Sequence, residues 1–200
     1  MPPNVISFFA KRARDYQNDA ESLPWRWLRT RERAAVGQAM GDVTDGDVLD
    51  LGSGVGYYSR YFLGEGARRI TAVDISPEMI AALPKGPIDG VEGDISSINL
   101  GKTFSHIICA GSLEFVPDVL GALKSARRHA DMGTRMVLLI PRPNFWGDLY
   151  RLYHRQHRIN VTLFPPDQLI EMAQQADWKL ISGESAALFS WVGSFGVNNS

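Results

Sequence analysis

The stretch Val48-Leu49-Asp50-Leu51-Gly52-Ser53-Gly54-Val55-Gly56 decides the fold. It begins apolar, as a buried strand does, and then carries one carboxylate before three glycines separated by single residues. Residues 57–63 continue with the pattern of a helix. A strand, a tight glycine turn and a helix form the part of an α/β sheet where a nucleotide-like ligand can approach bare backbone. The sequence therefore predicts a ligand site at this turn.

The composition favours a single globular domain over residues 1–200, because 44% of the residues are hydrophobic and can fill a core. The formal net charge of -1 lacks the basic excess typical of nucleic-acid binding, so no nucleic-acid partner is expected. The single cysteine, Cys109, cannot form an intrachain disulfide and is predicted to be a small buried hydrophobe. No signal peptide or transmembrane segment is recognised, so a cytoplasmic location is expected.

Strand and helix patterns alternate along the chain. Strands are predicted at 48–51, 69–73, around 91, 104–110, 136–140, 179–181 and 188–197, and helices at 56–63, from 76, at 118–130 and at 166–176. This alternation indicates a mostly parallel sheet with helices on both faces. Two earlier helices, 4–20 and 24–40, are predicted to form an N-terminal helical cap over residues 1–42. An aromatic- and arginine-rich insertion at 142–164 follows the fifth strand, at the sheet edge where ligands bind, and is predicted to form a lid.

The glycine spacing differs from the dinucleotide fingerprint Gly-x-Gly-x-x-Gly, since Gly56 comes one position early. Asp50 also places negative charge where a pyrophosphate would approach, which suits a ligand with a cationic amine instead. Asp74 ends the second strand and can accept both hydroxyls of a ribose, while Asp94 closes the third and can accept from an adenine amine. Each aspartate alone is explained as well by a turn or cap. Together, in this order, they describe adenosine joined to a cationic group.

These motifs resemble those of class I S-adenosylmethionine-dependent methyltransferases of the small-molecule type. The resemblance is carried by residues 48–56, by Val73-Asp74-Ile75-Ser76-Pro77-Glu78-Met79, by Glu92-Gly93-Asp94-Ile95 and by the segment 109–118, and it spans roughly residues 47–140. It implies a Rossmann-like sheet of seven strands, mostly parallel, whose antiparallel last strand is inserted beside the sixth. It also implies S-adenosylmethionine as the cofactor and S-adenosylhomocysteine as its product.

The resemblance assigns cofactor contacts to individual positions. The methionine end would be held by Asp50, Gly52, Ser53, Gly54 and Gly56, the ribose and adenine by Asp74, Ile75, Met79, Gly93, Asp94 and Ile95, and the floor near the sulfonium would be formed by Ala110, Gly111 and Ser112. The segment 8–16 resembles the helix that closes over the cofactor in small-molecule members, with Tyr16 facing inward. A half-buried Tyr16 without this role is the alternative.

The acceptor pocket is expected beneath the 142–164 insertion. On a predicted helix over 145–157, aromatic and histidine side chains share one face, which favours a lid above the sheet, although core packing gives the same pattern. The predicted pocket residues are Trp25, Arg142, Trp146, Tyr150 and Tyr153. The candidate general bases are His154, His157 and Glu114, where Glu114 is explained equally well as a charge at a helix N-terminus.

Arginines in the same insertion indicate either an acceptor with a carboxylate or phosphate, or simply a solvated basic face. They are Arg142, Arg151, Arg155 and Arg158. The resemblance implies in-line transfer of a methyl group to O, N or C of a small metabolite. No acidic cluster is placed for a metal ion near the fourth strand, so no obligatory metal is expected. The protein is expected to be a monomer or a homodimer. A protein of the same fold that uses the bound cofactor for cyclisation or other non-methyl-transfer chemistry is the alternative.

Overall fold

The computed structural model describes residues 3–12 and 23–198. Its elements follow the predicted alternation of strands and helices. In chain order they are α1 (Pro3–Arg12), α2 (Leu23–Met40), β1 (Asp47–Leu51), α3 (Tyr57–Gly64), β2 (Arg69–Asp74), α4 (Pro77–Ala81), β3 (Ile88–Glu92), β4 (Phe104–Ala110), a 3-10 turn (Leu113–Phe115), α5 (Val119–Arg128), β5 (Ala130–Pro141), α6 (Phe145–Gln156), α7 (Pro166–Gln174), β6 (Trp178–Ser185) and β7 (Ser190–Val197).

The strands of this described part form one seven-stranded sheet in the order β3-β2-β1-β4-β5-β7-β6. The five strands from β3 to β5 pair in parallel. In contrast, β7 runs antiparallel to both of its neighbours, β5 and β6. The predicted Rossmann-like sheet, with an antiparallel last strand beside the sixth, is therefore confirmed.

Helices cover both faces of the sheet because the side chains of the buried strands alternate between them. On β1, Leu49 and Leu51 belong to the core cluster beneath α5 and α7, whereas Val48 belongs to the cluster beneath α2 and α3. Cys109 is buried in the first of these clusters, as predicted. The nearly continuous apolar character of β1 thus reflects burial on two sides.

Two strands are longer than their apolar patterns predict. The strand β5 begins at Ala130, six residues before the predicted start, although the exposed residues Asp131 and Gly133 interrupt its apolar pattern. Its first part is held by pairing with Phe104, whose carbonyl accepts a hydrogen bond from Thr134 Oγ1 at 2.6 Å. The strand β6 continues to Ser185 because it pairs with β7 over that length.

The carboxyl ends of β1, β2 and β3 lie side by side, since Leu51 pairs with Val73 and Asp74 pairs with Glu92. The turns that follow these strands therefore meet at one edge of the sheet. Beyond β2, Ser76 caps α4 and its hydroxyl accepts a hydrogen bond from the Met79 amide at 3.3 Å, as the sequence predicts.

The helices α1 and α6 pack together at the same edge. On α1, Val5 is buried against Phe115, Ile159 and Val161. The helix predicted over 4–20 is observed as α1, and residues 13–22 lie outside the described part. Asn144 caps the helix α6, and its side chain accepts a hydrogen bond from an amide of the first turn. None of the helices within 3–12 and 23–198 has the length and apolar character needed to span a bilayer.

Candidate functional site

A cleft opens beyond the carboxyl ends of β1 to β4, with about 940 Å³ of empty space that is partly open to solvent. Most of the predicted cofactor residues line it: Asp50, Gly52, Ser53, Gly54, Asp74, Ile75, Met79, Gly93, Asp94, Ile95, Ala110, Gly111 and Ser112. Gly56 does not line the cleft and instead precedes the first turn of α3 with a φ of 79°. The predicted contact of Tyr16 falls outside the described residues.

Hydrogen bonds from the backbone amides of the glycine turn hold it against β2. The amides of Gly52 and Ser53 donate to the Val73 carbonyl at 2.8 and 3.0 Å, and the amide of Gly54 donates to Asp74 Oδ2 at 2.9 Å. Gly52 and Gly54 have φ angles of 72° and 54°, a region where side chains are strained. The turn therefore presents a bare backbone surface to the cleft and holds Asp74 in place.

Asp50 is buried behind this turn and accepts a hydrogen bond from Ser59 Oγ at 2.6 Å. Burial raises the pKa of Asp50 to about 6, and the charge of Asp74 adds to the increase. The carboxylate is therefore ionised at neutral pH but poorly solvated. A cationic group in the cleft would stabilise that charge.

Asp74 and Asp94 are oriented by the backbone that follows them. The two carboxylate oxygens of Asp74 accept from the amides of Ser76 and Gly54, both at 2.9 Å. Burial nevertheless raises the pKa of Asp74 above its ordinary value. Burial acts in the same direction on Asp94, but its pKa is lowered, and hydrogen bonds from the amide and hydroxyl of Ser96 contribute to the lowering.

The end of β4 forms the floor of the cleft. The hydroxyl of Ser112 donates to the Leu51 carbonyl at 3.2 Å and lies 3.0 Å from Cys109 Sγ. Ser112 also packs so closely against Gly52 that a Cβ added there would lie 2.5 Å from the serine side chain. The turns after β1 and β4 therefore fit together only when glycine occupies position 52.

Several lining residues were not predicted as site residues, and most of them come from helices around the sheet. They are Ile6, Phe9, Arg29, Tyr57, Tyr58, Ser76, Phe115 and Val116. The part of the lining near α2 could have been found from the sequence. In this helix the buried residues recur every four positions, as Leu28, Glu32, Val36 and Met40. A carboxylate within that stripe indicates a buried polar site above the core.

Glu32 occupies that site and accepts a hydrogen bond from the hydroxyl of Ser190 on β7. Burial raises the pKa of Glu32 even though Arg29, one turn earlier, opposes the shift. Nearby, the phenol of Tyr58 lines the cleft, and its oxygen has no hydrogen-bond partner in the described part of the chain. Burial, and then the charge of Glu32, raise the pKa of Tyr58 well above its ordinary value.

Glu114 lies directly behind the floor, with Oε1 4.0 Å from the place where a Cβ of Gly111 would be. Its side chain is 3% exposed, and the Tyr150 hydroxyl donates to Oε1 at 3.3 Å. The other oxygen, Oε2, has no hydrogen-bond partner within residues 3–12 and 23–198. Burial raises the pKa of Glu114 to about 7.

The other predicted acceptor residues do not line the cleft. His154 is buried among aromatic rings, with its ring centre 4.5 Å from that of Tyr150, whereas His157 is exposed. Trp146 and Tyr153 are exposed on α6. Arg142 is partly buried beyond β5. The side chain of Trp25 lies outside the described part, so the roles predicted for all these residues remain predictions.

In the same described residues, no group of three histidine, cysteine, aspartate or glutamate side chains could hold a metal ion. The acidic residues of the cleft are instead spread along its length, one at the end of each of the first three strands, as Asp50, Asp74 and Asp94 show. This spacing suits an extended organic ligand better than a single ion.

Glu114→Gln is expected to stabilise the protein at alkaline pH. Between its ordinary pKa of 4.5 and its folded-state pKa of about 7, Glu114 keeps its proton in the folded state but has lost it in the unfolded state. Stability is therefore lost as the pH rises through this window, by about 2–3 kcal/mol between pH 5 and pH 8. The amide keeps an acceptor for Tyr150 and removes this dependence.

Urea unfolding at both pH values checks this expectation, with the parent protein and Glu171→Gln, an exposed substitution on α7, as references. If the free energy of unfolding of Glu114→Gln changed between the two pH values as much as that of the parent, Glu114 would not titrate as its burial implies.

Comparison with known proteins identifies the family of the chain. A family model described as a methyltransferase domain matches residues 20–182. Ribosomal RNA small subunit methyltransferase A of Ruegeria pomeroyi is 26% identical over 158 residues, covering 73% of this chain and 51% of that protein. Trans-aconitate 2-methyltransferase of Mycobacterium tuberculosis is 33% identical over 95 residues, covering 45% of this chain and 31% of that protein. The chain thus spans about half or less of the length of these relatives.

A solved structure described as a DhpI–SAH complex has the same fold, with a TM-score of 0.77 and 22% identity, and the match covers 98% of this chain and 97% of that one. The family model extends from α2 to β6 and includes every turn that lines the cleft between them. On this evidence the chain belongs to the methyltransferase-domain family and has the class I methyltransferase fold.

Proposed function

We propose that this protein transfers the methyl group of S-adenosylmethionine to a small-molecule acceptor and releases S-adenosylhomocysteine. The observation that carries the proposal is the placement of Asp50, Asp74 and Asp94 along one cleft, at the ends of consecutive strands. The ligand implied by this arrangement carries hydrogen-bond donors at both ends and positive charge near the glycine turn.

Each group of the cofactor finds a chemical partner in the cleft. The remaining lone pairs of Asp74 would accept the two ribose hydroxyls, and Asp94 would accept from the adenine amine. Asp50 would stabilise the ammonium and sulfonium charges. Arg29, which lines the same cleft, would pair with the carboxylate of the methionine end. Apolar contacts to the adenosine would come from Ile75 and Met79.

The chain's part in the reaction is to position and enclose the reactants. The sulfonium already activates the methyl group, so alignment of the acceptor and exclusion of water supply much of the acceleration. The floor formed by Gly111 and Ser112 would set the depth at which the sulfur lies. An acceptor that must lose a proton needs a base, for which His154, His157 and Glu114 remain the candidates.

The acceptor is proposed to be small because the net charge of -1 provides no general surface for nucleic acid. The relatives described above are named for ribosomal RNA and for trans-aconitate. Acceptors thus differ widely among similar proteins, and the proposal of a small acceptor rests on the charge of this chain.

Labelled S-adenosylmethionine provides the test. The purified protein is incubated with methyl-tritiated cofactor and either a desalted metabolite extract or total cellular RNA. We expect tritium to enter small molecules and S-adenosylhomocysteine to accumulate in equal amount. Calorimetry with S-adenosylhomocysteine and NAD, in separate titrations, should show binding of the first alone. Labelling of RNA alone, or cofactor binding without any transfer, would contradict the proposal.

A further inference from the structure

We propose that this protein docks on anionic lipid surfaces through an exposed apolar face of α6. The face consists of Phe145, Trp146, Leu149 and Leu152. These side chains do not line the cleft, so the inference goes beyond the proposed methyl transfer and does not depend on it.

The apolar face is unusual for a surface helix. Most of the large apolar side chains that are exposed within residues 3–12 and 23–198 lie on α6. Phe145 is 74% exposed, and Leu149 and Leu152 are each 51% exposed. Single exposed apolar residues are common on protein surfaces, but a contiguous group of them is unfavourable in water and marks a contact site.

Another side of α6 is packed against the protein. Gly147 and His154 are buried there, and a Cβ added to Gly147 would collide with the carbonyl oxygen of Arg142. The ring of Tyr150 stacks on that of Phe189, with 5.3 Å between their centres. Because successive helical residues are rotated by about 100°, the apolar face points away from this packed side. The helix cannot turn the apolar face inward without losing these contacts.

Basic side chains border the apolar face. Arg151 and Arg155 lie one turn apart on α6, between the apolar face and the packed side, and both are exposed, as is Arg158 beyond the helix. Arg151 pairs with Asp148 at 2.8 Å. Residues 142–158 contain four arginines and one aspartate, although the net charge of the whole chain is -1. Positive charge is therefore concentrated at this helix.

An anionic lipid surface matches both features at once. Tryptophan, phenylalanine and leucine on one side and arginines beside them are typical of helices that lie in the plane of a membrane interface. The apolar face would enter the boundary of the acyl chains, while Arg151 and Arg155 would pair with phosphate and carboxylate headgroups. RNA would pair with the arginines but would leave the apolar face in water.

A second copy of this chain matches the surface less well. In a twofold symmetric contact the same patch faces itself, so the arginines of one copy would approach those of the other. Like charges brought together in this way oppose association. The arginines instead favour a partner with negative charge.

The apolar face lies beside the cleft. On the packed side of α6, the ring centre of His154 is 5.5 Å from that of Phe115 and 6.4 Å from that of Phe9, and both phenylalanines line the cleft. Leu188, which is 44% exposed, extends the apolar surface at the start of α6, since the side-chain amide of Asn144 donates to its carbonyl at 3.0 Å. Docking through α6 would therefore bring this side of the cleft near the lipid.

Sedimentation with sucrose-loaded vesicles provides the first test. The purified protein is mixed with vesicles of phosphatidylcholine that contain about 30% phosphatidylserine, in about 0.1 M salt. We expect it to sediment with these vesicles and to bind pure phosphatidylcholine about tenfold more weakly. Salt at about 1 M should abolish this difference. Failure to bind, or equal binding to both kinds of vesicle at low salt, overturns the inference.

Two sets of substitutions test the apolar and the basic side chains separately. Combining Phe145→Gln, Leu149→Gln and Leu152→Gln should weaken vesicle binding about 100-fold, because less apolar area enters the lipid. Combining Arg151→Gln and Arg155→Gln should weaken it about 20-fold at low salt. All five side chains are exposed and glutamine is a good helix former, so urea unfolding of both variants should match that of the parent.

The matched controls carry the same changes elsewhere on the surface. One combines Met132→Gln and Ile181→Gln, which replace apolar side chains that are 66% and 54% exposed. The other combines Arg68→Gln and Arg69→Gln, which remove two exposed arginines near the start of β2, at the sheet edge opposite the cleft. Both should bind vesicles as the parent does. Equal losses in the controls and the α6 variants would overturn the assignment to α6.

Tryptophan fluorescence locates the inserted side chains. Lipids that carry bromine on their acyl chains should quench the parent protein, and Trp146→Phe should lose this quenching while it still binds. Quenching that persists in Trp146→Phe overturns the inference, because lipid would then contact another tryptophan. Two other results also overturn it if vesicle binding is absent. One is a dimer, detected by light scattering, that the apolar substitutions dissociate, and the other is RNA binding that the arginine substitutions abolish.

Discussion

An Asp74→Ala variant is expected to bind S-adenosylhomocysteine about 100-fold more weakly than the parent protein. The proposed contact gives two hydrogen bonds from the ribose to one carboxylate, and each hydrogen bond to a charged group contributes roughly 1.5–3 kcal/mol. The same carboxylate also holds the amides of Gly54 and Ser76. The substitution therefore removes hydrogen bonds that hold the turn as well as those that would hold the ligand.

Calorimetric titration at pH 7.5 measures this effect, and two further variants interpret it. Asp89→Ala removes an exposed aspartate of β3 that pairs with Arg69 on the surface, and it should leave the affinity unchanged. Asp74→Asn retains one acceptor oxygen and should fall between Asp74→Ala and the parent. If Asp74→Ala bound as tightly as the parent, the assignment of the cleft to an adenosyl cofactor would have to be abandoned.

Gly52→Ala is expected to lower the free energy of unfolding by about 4 kcal/mol. Two causes add at this position. The backbone has a φ of 72°, where a side chain is strained, and the new Cβ would lie 2.5 Å from the side chain of Ser112. The turn cannot move without breaking the hydrogen bonds of Gly52 and Ser53 to β2, and Ser112 cannot move without breaking its hydrogen bond to the Leu51 carbonyl.

Chemical unfolding of three related variants separates the two causes. At Gly54 the φ is 54°, but an added Cβ meets nothing within 4 Å, so Gly54→Ala should lose only about 1–2 kcal/mol. Combining Gly52→Ala with Ser112→Gly should recover part of the loss, because the contacting side chain is then absent. Equal destabilisation by Gly52→Ala and Gly54→Ala would show that the close contact with Ser112 is unimportant.

The sequence predicts which residues line the strand-end side of the cleft, because their positions follow from the local pattern of strands and turns. Asp50 lies near the end of β1 and Asp74 ends β2, so both belong to the same edge of the sheet. Parallel strands bring their carboxyl ends to one edge of the sheet. Residues far apart in the chain can therefore be predicted to meet there without knowledge of side-chain packing. The same reasoning places Ser112 and Gly111 at the floor.

The helix side of the cleft is harder to predict because residues from several helices assemble it. Glu32 and Tyr58 belong to predicted helices, but the sequence does not say which helix face meets the cleft or that two such faces converge. The aromatic stripe of α6 is predicted to line a pocket, and in the structure its rings join Tyr150 to His154 and His154 to Phe115. The face that a helix turns toward the cleft depends on how the helix packs, and the hydrophobic periodicity alone does not determine this.

The position of β7 has a consequence for how the molecule reaches its native state. The strands β5 and β6 have no direct pairing, and the segment between them in the sheet, Ser190–Val197, is made after both. During synthesis on the ribosome, the edges of β5 and β6 that pair with β7 therefore stay unpaired until residues 190–197 have been made. Unpaired strand edges can pair with other chains. A nascent chain that stalls before residue 190 should accordingly be a target for chaperones and proteases.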